Sequence, residues 1–102
     1  MDQPLVVCVI LNTNRREDTL ACLRSLHTQD HKRLAVLVLD NGSSDGSNAA
    51  IRAGFPGVDI LTLSENRGYA GNNNAGIAAA LERGADWVLV LNEDVVLAPE
   101  AI

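Results

Sequence analysis

The chain has 102 residues, enough for one small domain and too few for two. Hydrophobic residues make up 47% and aromatics only 3%, so the core is expected to consist of Val, Leu, Ile and Ala. A formal charge of −5 argues against nucleic acid or an anionic membrane as the main partner, and no apolar run approaches the ~20 residues of a membrane span.

The opening residues, MDQPLVVCVIL, lack the basic lead and small-residue cleavage site of a signal peptide, so a cytoplasmic location is expected. PLVVCVIL (4–11) is a continuous apolar run rich in β-branched residues and predicts a strand buried on both faces. A helix is predicted from about Arg16 to Gln29, with Leu20, Leu23 and Leu26 at helical spacing. Glu17 and Asp18 fall in its first turn, where the helix dipole favours acids. LAVLVLD (34–40) predicts a second buried strand. SSDGSNAAIRAGF (43–55) is turn-like, then helical, and stops at Gly54 and Pro56, with Asp45 or Ser44 placed to cap that helix. VDILTL (58–63) alternates and suggests a strand nearer a sheet edge. The segment from about Ala70 to Arg83 carries Ile77 and Leu81 among alanines, and Gly84 makes a C-cap. DWVLVL (86–91) is the fourth strand. APEAI (98–102) then opens a further helix with Pro99 at its first position, so the domain reads as truncated at its C-terminus.

The order βαβαβαβ predicts an α/β, Rossmann-like parallel sheet with right-handed crossovers. In the usual doubly wound start the strands lie 3-2-1-4, which leaves DWVLVL at an edge. That edge is apolar and has no Pro, Lys or bulge signal, so a homodimer of the chain is expected. The competing expectation is that residues 95–102 fold back over it. Cys8 and Cys22 form no CxxC and have no His-rich company, and they read as buried free thiols in a reducing compartment. His27 and His31 straddle a helix end without acidic or Cys companions and read as surface residues.

Polar clusters follow all four predicted strands: Asn12-Thr13-Asn14, Asp40-Asn41-Gly42, Glu65-Asn66-Arg67-Gly68 and Asn92-Glu93-Asp94. In a parallel sheet they share the carboxyl edge, where open α/β sheets bind ligands. Each cluster alone is an ordinary strand-to-helix turn; four together point to a site. The last is the sharpest, because VLVLNEDVVL sets two acids inside an apolar run, and burying an unpaired carboxylate costs several kcal/mol. Neither GxxxxGK[ST] nor a GxGxxG after the first strand is present, so the P-loop and dinucleotide fingerprints do not apply. With so few cations, a diphosphate at this edge needs a metal, and the carboxylates suit Mg²⁺ or Mn²⁺. NGSSDG begins like a calcium loop, but Arg52 stands where the bidentate Glu belongs.

VVCVILNTNRREDTLACLRSLHTQ, VLVLDNGSSDGS, ENRGYAGNNNAGI and VLVLNEDVVLAPEAI, in that order and spacing, resemble the N-terminal nucleotide-binding half of family-2 glycosyltransferases, in the rhamnosyltransferase-like subgroup. The resemblance implies a GT-A fold, a UDP- or TDP-linked sugar donor, a divalent cation, and inverting transfer of a hexosyl group to an acceptor glycan or lipid-linked glycan. It suggests cell-surface polysaccharide synthesis, with a full-length protein peripheral to the inner membrane face. Asn12, Thr13 and Asn14 are implied to line the nucleoside pocket, and Asp40 to accept the pyrimidine N–H. Asn66, Arg67 and Gly68 are implied to form the loop beneath the donor, and Asn74 to contact sugar or ribose. Asn92, in place of a first acid, is implied to contact ribose or metal-bound water, and Asp94 to be the metal ligand. Glu93 departs from the subgroup's usual Pro and is read as a bystander rather than a second ligand. The family's catalytic base comes from beyond Ile102, so the isolated chain is expected to be inactive. The alternative is a non-catalytic nucleotide-binding module.

Overall fold

A computed structural model describes residues 4–63 and 68–102. The chain runs β1 (Val6–Asn12), α1 (Arg16–His27), β2 (Leu34–Asp40), α2 (Ser47–Gly54), β3 (Asp59–Thr62), α3 (Gly68–Glu82) and β4 (Trp87–Asn92). All pairings are parallel and the strand order is β3-β2-β1-β4, as the pattern predicts. β3 lies at one edge and β4 at the other.

Strand alternation sorts the core into two layers. Val6, Cys8 and Ile10 of β1, Val38 of β2 and Leu91 of β4 face α1 and α2, meeting Cys22, Leu23, Leu26 and Ile51. Val7, Val9, Leu37 and Leu39 face the other way and meet Ala80 of α3. β1 is central, and its residues from Val6 to Ile10 are all buried, which is why that segment has no polar side chain until Asn12. Small residues on α3 let it lie close to the sheet. A Cβ on Gly76 would stand 2.5 Å from Cγ1 of Val9 and 2.7 Å from Cδ1 of Leu39.

Cys8 and Cys22 are free and buried in the α1 layer. Burial pushes the Cys8 thiol up to about 12. Burial, with help from the charges of Asp94 and Glu93, pushes Cys22 up to about 11. Both are therefore protonated and unreactive at neutral pH. His27 is exposed, and His31 bonds the Pro4 carbonyl through Nε2 at 2.9 Å.

One expectation fails. Residues 98–102 do not begin a helix; they make a single turn closed by Ala101 N–H on the Ala98 carbonyl at 3.0 Å. One turn fixes several dihedrals for one bond and does not sustain a helix unaided. Tertiary bonds hold the segment instead. Gln29 Nε2 donates to the Ala98 carbonyl at 2.7 Å, Ile102 N–H donates to Gln29 Oε1 at 3.1 Å, and Asp30 N–H donates to the Pro99 carbonyl at 2.8 Å. Val95, Leu97 and Ile102 pack on the α1-side core. No helix among the described residues is long and apolar enough to cross a membrane.

Candidate functional site

Asn12 and Asp40 pair in register at the ends of β1 and β2, and Asn92 ends β4 one residue short of them, opposite Leu11. The carboxyl edge thus carries a row of polar side chains directly above an apolar sheet. Each has its own anchoring.

Asn12 is fully buried. Its Oδ1 accepts from the Arg15 N–H at 3.1 Å and the Thr19 hydroxyl at 3.0 Å, and its Nδ2 donates to Ser43 Oγ at 3.3 Å. That side chain is committed to holding the β1–α1 and β2–α2 loops together. Thr13 and Asn14 are exposed at the edge. Asn14 adopts φ +52°, a left-handed conformation that Asn tolerates better than most residues. Its Oδ1 accepts the Ser44 N–H at 2.7 Å.

Asp40 is 4% exposed. Oδ1 accepts the Ser43 N–H at 3.0 Å and Oδ2 accepts Asn48 Nδ2 at 2.9 Å. Each oxygen keeps a further lone pair, so the carboxylate organises its loop without exhausting its capacity to accept. Asp45 is the helix capper of this loop: Oδ1 accepts the Ser47 N–H and hydroxyl at the start of α2. Oδ2 reaches across to the Arg16 N–H at the start of α1, at 3.0 Å. The Ser47 hydroxyl, followed by these backbone donors, holds its carboxyl below the usual carboxylate range.

At the end of β4, Asn92 and Asp94 are exposed, while Glu93 is half-buried. Glu93 Oε1 lies 3.8 Å from Arg15 Nε, and Arg15 is also paired with Asp18 at 3.1 Å. Glu93 thus faces a cation from the loop that follows β1. No hydrogen bond or ion pair engages the Asp94 carboxylate among the described residues. Gly68 opens α3 with φ +77°, which a side chain would strain. On α3, Asn74 is exposed, whereas Asn73 is buried with its Oδ1 unpaired. Asn66 and Arg67 lie outside the described residues.

Three participants escape a reading by strand ends alone: Arg15, Ser43 and Asn48. Their signal in the sequence is position only, in the loops and the first helical turn that follow β1 and β2. A groove of about 410 Å³ lined by Leu26, His27, Lys32 and Phe55 opens at the opposite, amino-terminal end of the strands, away from this edge.

A three-layer arrangement with polar strand ends on one edge defines an open α/β protein of the ligand-binding kind. Comparison with known proteins narrows the class: the sequence matches the glycosyl transferase family 2 domain over residues 7–102, and the chain belongs to that family. Among curated relatives, the succinoglycan biosynthesis protein ExoO of Rhizobium meliloti is 32% identical over 100 residues, covering 97% of this chain. The N-acetylglucosaminyl-diphospho-decaprenol L-rhamnosyltransferase of Mycobacterium tuberculosis is 35% identical over 88 residues, covering 78%. The chain spans only 28% and 29% of those two relatives. Solved structures of similar fold include a mannosyltransferase of Pyrobaculum calidifontis in complex with GDP-Man and Mn²⁺, with a TM-score of 0.75 and 24% identity over 96% of this chain and 30% of that one. Residues 1–349 of TarS from S. aureus, in complex with UDP, give 0.76 and 19% over 94% of this chain and 29% of that one. At such identities these structures establish the shared GT-A fold.

Proposed function

We propose that the chain is the donor-binding portion of an inverting family-2 glycosyltransferase that takes a UDP- or TDP-linked sugar, with Mg²⁺ or Mn²⁺, and serves transfer of a hexosyl group to a glycan or lipid-linked glycan. The observation that carries this reading is the shared carboxyl edge of Asn12, Asp40 and Asn92, followed by the open carboxylate of Asp94, in a chain of this family. The names of its relatives and the ligands of its structural neighbours support the substrate class.

The donor set fits a cation shared with a substrate. No group of three or more His, Cys, Asp or Glu side chains that could hold a metal occurs among the described residues, so these residues offer no closed cage. An exposed Asp94, with Asn92 beside it, is the one- or two-ligand arrangement that leaves room for phosphate oxygens and water. When bound there, the cation supplies charge neutralisation on the leaving diphosphate. Asp40 accepts the base N–H, Asn14 and Thr13 border the nucleoside, and Asn74 meets ribose or sugar. Gly68, at the start of α3, borders the donor. The base that takes the acceptor's proton lies outside residues 1–102, so the chain binds donor without transferring it. A cytoplasmic setting suits two free thiols, and self-association through the β4 edge is proposed for the chain by itself.

Titration calorimetry with UDP and TDP, first in EDTA and then in Mn²⁺, tests the reading. Binding should be weak in EDTA and strengthened by Mn²⁺. Asp94→Ala should remove the metal-dependent part, and Glu93→Ala should retain most of it. Equal affinity in EDTA and Mn²⁺ overturns the metal assignment.

A further inference from the structure

We infer that Gln29 is a positioning residue for the acidic loop at the end of β4, and through that loop for the cation; the second part rests on the function proposed above. Gln29 follows α1 at the amino-terminal end of the sheet, far along the fold from Asp94. It is 1% exposed, unusual for an uncharged polar side chain of this length. Its amide is fully engaged: Nε2 donates to the Ser25 carbonyl at 3.1 Å and the Ala98 carbonyl at 2.7 Å, and Oε1 accepts the Ile102 N–H at 3.1 Å. Two of these bonds join segments 69 and 73 residues apart.

The segment they hold is the one that leaves the acids. β4 ends at Asn92, and the only backbone bonds described within residues 93–102 are Val95 N–H to the Asn92 carbonyl and Ala101 N–H to the Ala98 carbonyl. Apart from the turn bond to Asn92, the long-range hydrogen bonds that tie residues 94–102 to the other described residues go to Gln29 and Asp30. The loop with Glu93 and Asp94 is thus fixed at two points: β4, paired to β1, and the Gln29 clamp. Between these points the clamped segment runs back along α1, because Val95, Leu97 and Ile102 pack against the cluster that holds Cys22, Leu23 and Leu26. Apolar packing is non-directional and permits sliding; a glutamine bonded to two backbone groups of the tail sets its register.

Gln29→Met keeps the volume and removes the three bonds. Ile51→Ala, in the same core but touching no tail residue through hydrogen bonds, serves as a control of comparable thermal destabilisation. Amide hydrogen exchange at Val95 and Asp30, whose N–H groups bond the Asn92 and Pro99 carbonyls, should accelerate at least about tenfold in Gln29→Met and stay near wild type in the control. Mn²⁺ affinity in the presence of UDP, read by electron paramagnetic resonance, should fall about tenfold or more in Gln29→Met, the range seen when groups behind metal ligands are removed. Gln29→Asn retains the amide on a shorter arm, should show the same losses in milder form, and carries the test if the Met variant does not fold. Unchanged exchange at Val95 and Asp30 overturns the inference. Faster exchange in a protein whose wild type binds no Mn²⁺ supports the positioning and instead refutes the metal reading.

Discussion

Asp40 accepts from Ser43 and Asn48 while standing at the site edge, so a substitution there touches both loop and ligand. The Asn48 amide decides how the two effects separate. Its Oδ1 is buried and unpaired, whereas its Nδ2 serves Asp40. In Asp40→Asn, a flip of Asn48 turns that idle oxygen toward the new amide, so the fold should be retained with little loss of Tm. Nucleotide affinity should still fall by roughly 1–3 kcal/mol, the worth of a charge-assisted hydrogen bond. Asp40→Ala strands both donors and should cost about 1–3 kcal/mol of stability for each group left unsatisfied. Calorimetry beside urea unfolding of the two variants distinguishes ligand role from loop role. Asp45 gives a pH signature. Its folded pKa is lowered by Ser47 and by the backbone donors it caps, so it binds its proton less readily folded than unfolded. Its contribution is present above the unfolded value, near ~3.9, and is lost as pH falls through the lower folded value. Asp45→Asn should therefore flatten the acid limb of a Tm-against-pH profile and leave its shape above about pH 5 unchanged.

At the scale of elements, α3 shows how one position reverses a general rule. Replacing a mid-helix Gly by Ala ordinarily stabilises by about 0.5–1 kcal/mol. At Gly76 the new methyl would meet Val9 and Leu39 at 2.5 and 2.7 Å, and both are buried in the sheet. Gly76→Ala should instead destabilise by about 1–3 kcal/mol, seen as a lower urea midpoint at unchanged m-value. The same segment marks where sequence reading stops. Strand and helix identity was legible because β1 and β2 are unbroken apolar runs and α1 repeats its leucines with a helical period. The strand-end location of the polar residues followed from parallel order alone. The inward turn of Asn12, the orphan oxygen of Asn73 and the Arg15–Glu93 pair were not legible, since they depend on how loops from distant strands meet. Residues 98–102 carried a helix-start signal that Gln29, 69 residues from Ala98 in sequence, overrides by tertiary bonding.

For the whole molecule, the open question of chemistry is what becomes of the β4 edge. β4 pairs with β1 on one side, and the four-stranded sheet ends there. Residues 95–102 run back to Gln29 and pack on the α1 face, so they supply no fifth strand. An edge reading WVLVLN, with Trp87 66% exposed, offers a row of backbone donors and acceptors and little charge to deter pairing. A two-fold pairing of β4 with β4 closes both edges at once and needs no second surface. Sedimentation equilibrium of the 102-residue chain should then show a mass rising toward twice 10.9 kDa at high micromolar concentration. Trp87→Lys should shift the chain towards monomer, because Trp87 contributes little to the core and a Lys on an edge strand deters pairing with another chain. A wild-type chain that stays at the monomer mass throughout would mean that the exposed strand is shielded by its own twist and side chains, and the proposed pairing would be withdrawn.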